Sequence, residues 1–243
     1  MNTELTIVIP AKNEEKLIGS LLRSIACQSY DRIKDTLIIL ADAGSSDNTV
    51  ETACKWAKTY GLNGFQVIAG GLPAVGRNAG AGLATSRYVL FVDADVQLEH
   101  AWVLEDAIFE MRARGLHLTT TDIRCPEGRL RDNILYAASN FCQRASKWLG
   151  IPFATGMFML WDRAIFWQLG GFDEQALYAE DYMLSKRVKC RRFAVVHGGV
   201  ETTNRRFRKM GIPTVVWLFF KTIILCWHFD HHFKKDQNYW NPF

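Results

Sequence analysis

The sequence contains few of the residues that crosslink or break up a fold. Among 243 residues it has only 6 prolines and 6 cysteines, and the cysteines are scattered, with no C-x-x-C pair. A disulfide-stapled miniature, a zinc finger and a proline-rich disordered chain are therefore excluded. No basic and then apolar leader follows Met1, so we expect a reducing, cytoplasmic location.

Acidic residues are scarce toward the C-terminus. Between residues 187 and 235, eleven Lys and Arg stand against Glu201 and Asp230, a net charge of +9, while the rest of the chain carries −5. Such a region suits a diphosphate, a nucleic acid or an anionic membrane face, and equally a solvated basic surface. Nucleic acid is the weakest of these, because no stacking aromatics are interleaved with the basic residues.

Internal repeats and low-complexity tracts are also missing, which favours one globular domain over residues 1–243. Short runs rich in β-branched residues alternate with helical patterns. Strands are predicted at residues 6–9, 36–41, 65–69 and 88–92, with helices at 14–27 and 46–60 between them. This alternation predicts an α/β fold with a mainly parallel sheet flanked by helices.

Polar residues follow three of these predicted strands. The segments are Pro10-Ala11-Lys12-Asn13-Glu14, Asp42-Ala43-Gly44-Ser45 and Asp93-Ala94-Asp95. Ligands of such sheets bind beyond the carboxyl ends of the strands. One aspartate after a strand is usually a helix cap, whereas three polar strand ends on one edge predict a binding site.

Asp93 and Asp95 are the sharpest chemical signal. Where a strand breaks into a loop, two carboxylates two residues apart can converge on one hard cation. Mg²⁺ or Mn²⁺ is commonly held by one or two carboxylates together with substrate phosphates. His197, which follows the apolar run at residues 193–196, is a further metal-ligand hypothesis beside its reading as a loop histidine.

A dinucleotide-binding domain would need G-x-G-x-x-G directly after the first strand. The glycine-rich stretch G-R-N-A-G-A-G comes later, at residues 76–82. It is read either as close helix packing or as a site in which Arg77 contacts a diphosphate and Asn78 orients a sugar.

Glu180 and Asp181 stand at the predicted start of a helix. Acids there complement the helix dipole, which is the structural interpretation. The functional interpretation is a general base that removes a proton from an incoming hydroxyl group.

The order of these motifs resembles family 2 glycosyltransferases with a GT-A fold. The resemblance covers residues 5–211 and rests on T-I-V-I-P-A-K-N-E-E, D-A-G-S-S-D-N-T, G-R-N-A-G, V-D-A-D, T-G-M-F, G-G-F-D-E and Y-A-E-D. It implies a nucleotide-sugar donor, a divalent cation (Mn²⁺ or Mg²⁺) and inversion at the anomeric carbon. UDP is the expected carrier, and the acceptor is a saccharide, a lipid-linked or a small-molecule hydroxyl.

The resemblance also assigns roles to residues. Asp181 would be the catalytic base supported by Glu180, Asp95 would coordinate the cation, and Asp42 would bind the nucleobase. The residues expected to contact the nucleotide sugar come from the three strand ends, the glycine-rich stretch and the C-terminal region. They are Pro10, Ala11, Asn13, Glu14, Asp42, Arg77, Asn78, Asp93, Ala94, Arg205 and Arg206. The expected metal ligands are Asp93, Asp95 and His197.

Processive members of that family carry Q/R-x-x-R-W, of which T-N-R-R-F-R at residues 203–208 is only a loose echo. We therefore expect transfer of a single sugar. Residues 1–122 are expected to form the nucleotide-binding half and residues 123–211 the acceptor-binding half.

Residues 212–243 form an apolar and basic C-terminal segment, and residues 212–229 are expected to form a hydrophobic helix. It would pack on its own domain, on a second copy, or on the cytoplasmic face of a membrane as a peripheral contact.

Two other functions stay open: a nucleotide-sugar pyrophosphorylase, and a catalytically inactive protein that binds a nucleotide sugar or associates with a membrane.

Overall fold

One sheet of eight strands runs through the part of the chain that the computed structural model describes, which is residues 4–211, 213–214 and 216–217. The strands are β1 (Leu5–Ala11), β2 (Leu37–Asp42), β3 (Phe65–Ala69), β4 (Tyr88–Phe91), β5 (Val96–Leu98), β6 (Leu118–Arg124), β7 (Met159–Asp162) and β8 (Phe193–Thr202). Their order across the sheet is β3-β2-β1-β4-β7-β6-β8-β5. The four strands predicted from the sequence are β1 to β4.

The predicted mainly parallel arrangement is confirmed. Four of the seven neighbouring pairs are parallel: β1 with β2, β1 with β4, β2 with β3, and β6 with β8. The antiparallel pairs all involve β7 or β5. In the parallel half Ala11 lies opposite Asp42, so β1 and β2 end side by side.

Helices cover both faces of the sheet. They are α1 (Ile18–Ala26), α2 (Thr49–Thr59), α3 (Pro73–Leu83), α4 (Val103–Arg114), α5 (Leu130–Ser146), α6 (Arg163–Gln168), α7 (Glu180–Ser185) and α8 (Arg205–Met210). Alternate residues of β1 divide between the two layers: Ile7 packs with α1, α2 and α4, whereas Val8 packs with α3 and α6. This is the two-residue period of a strand buried on both faces.

Helix α3 lies unusually close to the sheet. A β-carbon added to Gly80 would come within 2.4 Å of Val8 Cγ1, so only glycine fits at this contact. The close-packing interpretation of the glycine-rich stretch therefore holds, and it fixes the height at which Arg77 leaves the helix.

The predicted hydrophobic helix at residues 212–229 lies almost wholly outside the described residues. No helix in the described ranges has the length and apolar composition needed to cross a membrane.

Candidate active site

The loops after β1 and β2 are tied together by side chains. Asn13 has a left-handed backbone (φ 56°), which asparagine tolerates better than most residues, and its N–H donates to Ser45 Oγ at 2.9 Å. Its Oδ1 accepts from the Ser46 N–H at 2.8 Å. The Glu14 N–H donates to Thr49 Oγ1 at 2.8 Å. The first two polar segments thus form one ledge at the carboxyl edge of the sheet.

Asp42 shapes its own turn. Its Oδ2 accepts from the N–H groups of Gly44 and Ser45 at 3.1 and 3.0 Å, and its Oδ1 accepts from Ser45 Oγ at 2.5 Å. Pro10 and Ala11 close β1 beside it, and Ala11 is buried. Both oxygens of Asp42 thus accept hydrogen bonds from its own loop. Its expected contact with a nucleobase stays a prediction.

Asp93, Ala94 and Asp95 occupy the link between β4 and β5. Ala94 is buried, whereas the carboxylate side chains of Asp93 and Asp95 stay 22% and 24% exposed. The break in the strand therefore presents two partly exposed carboxylates at one edge.

Arg77 joins this link to the acidic pair at residues 180 and 181. Its guanidinium is buried, with Nη2 donating to Asp93 Oδ1 at 2.6 Å and Nη1 donating to Glu180 Oε1 at 2.5 Å. It also lies over the Phe172 ring, 5.6 Å from the centroid. Because both terminal nitrogens are engaged with carboxylates, Arg77 organises the site, and the sequence-based expectation that it contacts a diphosphate gains no support.

The Arg77 guanidinium stays protonated in the folded chain. Burial lowers the pKa of its guanidinium, but the charges of Asp93, Glu180 and Asp181 outweigh burial and raise the pKa above its ordinary value. A permanently charged buried cation thus stands between three carboxylates, where its charge offsets their mutual repulsion.

Asp181 and Glu180 open α7 but differ in exposure. Glu180 is buried against Arg77, whereas Asp181 is only half-buried. Asp181 Oδ2 accepts from the Gly156 N–H at 2.7 Å, and its Oδ1 accepts from the Tyr182 N–H at 2.7 Å. Of the two acids, Asp181 therefore has the more accessible side chain.

The backbone around this pair is strained and tightly packed. Ala179, directly before Glu180, has a left-handed φ of 57°, which costs a non-glycine residue about 1 kcal/mol or more. A β-carbon on Gly156 would come within 2.4 Å of Arg77 Nη2. Sequence reasoning noted the T-G-M-F motif but not that its glycine N–H anchors Asp181.

Burial raises the pKa of Asp181 to about 6, and the neighbouring charge of Glu180 adds to the increase. Arg77 and the two backbone N–H groups oppose it. A carboxyl group with this pKa is mainly ionised at neutral pH and more basic than an ordinary aspartate, which suits a general base.

A second arginine, Arg205, joins Glu14 to Asp95. Arg205, the first residue of α8, donates from Nη1 to Glu14 Oε2 at 3.0 Å and from Nη2 to Glu14 Oε1. Its Nη2 also lies 3.4 Å from Asp95 Oδ2. Burial raises the pKa of Glu14, Arg205 opposes the shift and Asp95 adds to it. Arg206 lies in α8, and its side chain is outside the described part of the chain.

The side chain of Asn78 forms its hydrogen bonds with other residues of the chain. Its Nδ2 donates to the Phe172 carbonyl at 2.9 Å and to Glu174 Oε1 at 3.0 Å, and its Oδ1 accepts from the Phe172 N–H at 3.0 Å. These contacts fix the 170–174 loop against α3. The expected role in orienting a sugar is therefore not supported.

His197 lies apart from the other predicted ligands. It is exposed within β8, with its ring 5.8 Å from the Trp102 ring. Because Val96 pairs with Thr202 and Leu98 with Val200, Asp95 and His197 lie beyond opposite ends of the β5–β8 pairing. The structure therefore does not bring His197 to the carboxylates.

The carboxylates after β4 fit a hard cation. Oxygen ligands of this kind are what Mg²⁺ and Mn²⁺ prefer. No group of three or more His, Cys, Asp or Glu able to hold a metal by itself occurs among the residues described. Two carboxylates of the chain completed by oxygens of a diphosphate agree with both observations.

Residues 6–170 match the family model described as Glycosyl transferase family 2. A 4,4'-diaponeurosporenoate glycosyltransferase from Staphylococcus haemolyticus is 35% identical over 115 residues, which is 45% of this chain and 28% of that protein. The chain thus matches less than a third of the length of this relative.

The fold is shared with solved structures of glycosyltransferases. A mannosyltransferase from Pyrobaculum calidifontis in complex with GDP-Man and Mn²⁺ aligns with a TM-score of 0.68 at 20% identity, covering 92% of this chain and 65% of that one. Glucosyl-3-phosphoglycerate synthase from Mycobacterium tuberculosis, in complex with Mn²⁺, UDP-Glc and phosphoglyceric acid, aligns with a TM-score of 0.62 at 19% identity, covering 93% and 81%.

Proposed function

The chain belongs to glycosyl transferase family 2, and we propose that it transfers one sugar from a UDP-sugar to an acceptor hydroxyl with inversion at the anomeric carbon. The observation that carries the proposal is the position of Arg77, which binds Asp93 of the D-x-D link and Glu180 beside Asp181 at the same time. One buried cation thereby holds the diphosphate side and the acceptor side of the site together.

In this proposal Asp93 and Asp95 would hold Mn²⁺ or Mg²⁺ together with the donor diphosphate. The bound cation would neutralise negative charge on the departing diphosphate. Asp181 takes the proton of the acceptor hydroxyl, whose oxygen forms the new bond to the anomeric carbon. The old bond between that carbon and the phosphate oxygen breaks, and its electron pair leaves with the diphosphate.

The remaining residues position these groups. Glu180 is buried on Arg77 and fixes the start of α7, while the Gly156 N–H sets the orientation of the Asp181 carboxylate. Arg205 lies beside Asp95, where a cationic side chain stabilises charge as it develops on the leaving group. We assign the nucleotide to the half formed by residues 1–122 and the acceptor to residues 123–211.

The donor is testable by thermal shift on the full chain with UDP or GDP, each with Mn²⁺ or with EDTA. We expect UDP with Mn²⁺ at about 100 times its Kd to raise Tm by about 5 to 11 °C, because a ligand that binds only the native state stabilises it. Asp95→Asn should lose most of this shift, whereas Glu110→Gln on α4 should keep it. An equal shift in EDTA would contradict the proposed cation site, and a larger shift with GDP would reassign the base.

The pH dependence of transfer follows from the pKa of Asp181, which is about 6. Below this pH the carboxyl group already holds a proton and cannot accept another, so kcat/KM should fall about tenfold per pH unit as pH decreases. Above about pH 7 it should level off. Initial rates between pH 4.5 and 8 at saturating Mn²⁺ measure this about tenfold slope, and a rate that is flat through pH 6 would argue against a base with this pKa.

A further inference from the structure

Helix α5 presents an apolar stripe to solvent. At about 100° per residue, Leu130, Ile134 and Phe141 fall within about 40° of one another, and Trp148 lies in the turn after the helix. Their exposures are 78%, 58%, 70% and 84%, and the neighbouring Leu149 is 73% exposed. The opposite side of the helix carries the buried residues that face the sheet. A run of exposed apolar side chains along one face of a helix is typical of an interaction surface.

Basic side chains lie beside the stripe. Arg131 and Arg144 lie on its two flanks, and both side chains remain exposed although each has an acidic neighbour, Asp132 and Asp122 respectively. Lys147 follows the end of the helix. Between residues 128 and 150 the one acid is Asp132, which is buried.

Arg131, Arg144 and Lys147 are thus the basic residues that lie beside the stripe. The combination of an apolar stripe, a terminal tryptophan and flanking cations is that of a helix lying in the interface of an anionic bilayer.

We propose that the exposed face of α5 (Leu130, Ile134, Phe141, Trp148 and Leu149) docks the protein on an anionic lipid surface. Its apolar side chains enter the acyl boundary, while the basic side chains beside it contact lipid phosphates. The chain continues from Trp148 through a short loop to Gly156, whose N–H holds Asp181. The inference stands on α5 itself and does not depend on the identity of the transferred sugar.

The test is co-sedimentation of the full chain with phosphatidylcholine vesicles that contain or omit phosphatidylglycerol. We expect binding to the anionic vesicles that weakens as salt is added, because salt screens the charges. Phe141→Glu should bind at least about tenfold more weakly, because the variant lacks the apolar side chain that the parent transfers from water into the bilayer. Phe109→Glu, at a residue on α4 that is 63% exposed, is the matched control and should bind like the parent. All variants retain residues 212–243, so their differences report α5.

Three kinds of measurement could overturn the proposal. The first is vesicle binding: the parent chain fails to bind anionic vesicles, or the Phe141→Glu variant binds them as well as the parent does. The second is a lower Tm for Phe141→Glu without lipid, which would mean that another part of the chain covers this face. The third is a sedimentation coefficient that differs between Phe141→Glu and the parent chain without vesicles, which would mean that a second copy of the chain covers this face of α5. Unchanged Tm and sedimentation with weakened vesicle binding support it.

Discussion

Asp181→Asn is expected to lower the rate of sugar transfer by about 10² to 10⁴-fold while leaving nucleotide binding unchanged. The amide cannot accept the proton of the acceptor hydroxyl. It does retain one carbonyl oxygen for the N–H of Gly156 or Tyr182, so the start of α7 should keep its conformation. Single-turnover rates together with a UDP titration in Mn²⁺ separate the two effects.

Glu180→Gln is the matched comparison, because it changes the neighbouring acid by the same chemistry. Glu180 is buried on Arg77 and has no access to an acceptor, so we expect a smaller loss of rate and a lower Tm. If Glu180→Gln abolished transfer at an unchanged Tm while Asp181→Asn remained active, the two roles would be reversed. Wild-type transfer by Asp181→Asn would refute the assignment of the base.

Arg77→Met is expected to lower the free energy of unfolding by about 3 to 5 kcal/mol, because it leaves the buried Glu180 and the partly exposed Asp93 without their cationic partner. For a chain of this length, that corresponds to a Tm lower by about 6 to 20 °C. Differential scanning calorimetry measures the change. Arg114→Met removes an exposed pair with Glu110 and should shift Tm by no more than about 2 °C.

Two further measurements distinguish the loss of a charge from a simple packing defect. Adding Glu180→Gln to Arg77→Met removes one of the stranded charges and should recover part of the lost Tm. Because Arg77 lowers the pKa of Asp181, its removal should also shift the acid limb of the pH profile of transfer toward higher pH. A variant with parental Tm and an unmoved acid limb would show that the bridge does not hold the site.

Much of the fold follows from local pattern. The first four strands and the parallel half of the sheet were predictable, because a buried strand reads as a short β-branched run and the helices between strands have their own period. The carboxylates at residues 93, 95, 180 and 181 were likewise recognisable, since each is a short motif at the end or start of one element.

The contacts between these motifs were not predictable. Arg77 reaches Glu180 across 103 positions of sequence, and Arg205 reaches Glu14 across 191. The sequence pattern instead suggested ligand contacts for Arg77 and Asn78, and both side chains are committed to the protein. His197 was a candidate for the metal site and lies at the other end of its strand pair.

The sequence by itself determined which elements form and which acids stand at their ends, because hydrophobic periodicity and chain stereochemistry act over a few neighbouring residues. Only the tertiary structure decided which of the two acids at residues 180 and 181 is buried and which stays partly exposed. The insertion of β7 between β4 and β6 brings Gly156 and α7 over the carboxyl edge of the parallel strands. There the burial of Asp181, which raises its pKa, and the approach of Arg77, which opposes the rise, result from packing between segments about a hundred residues apart, which no local pattern encodes.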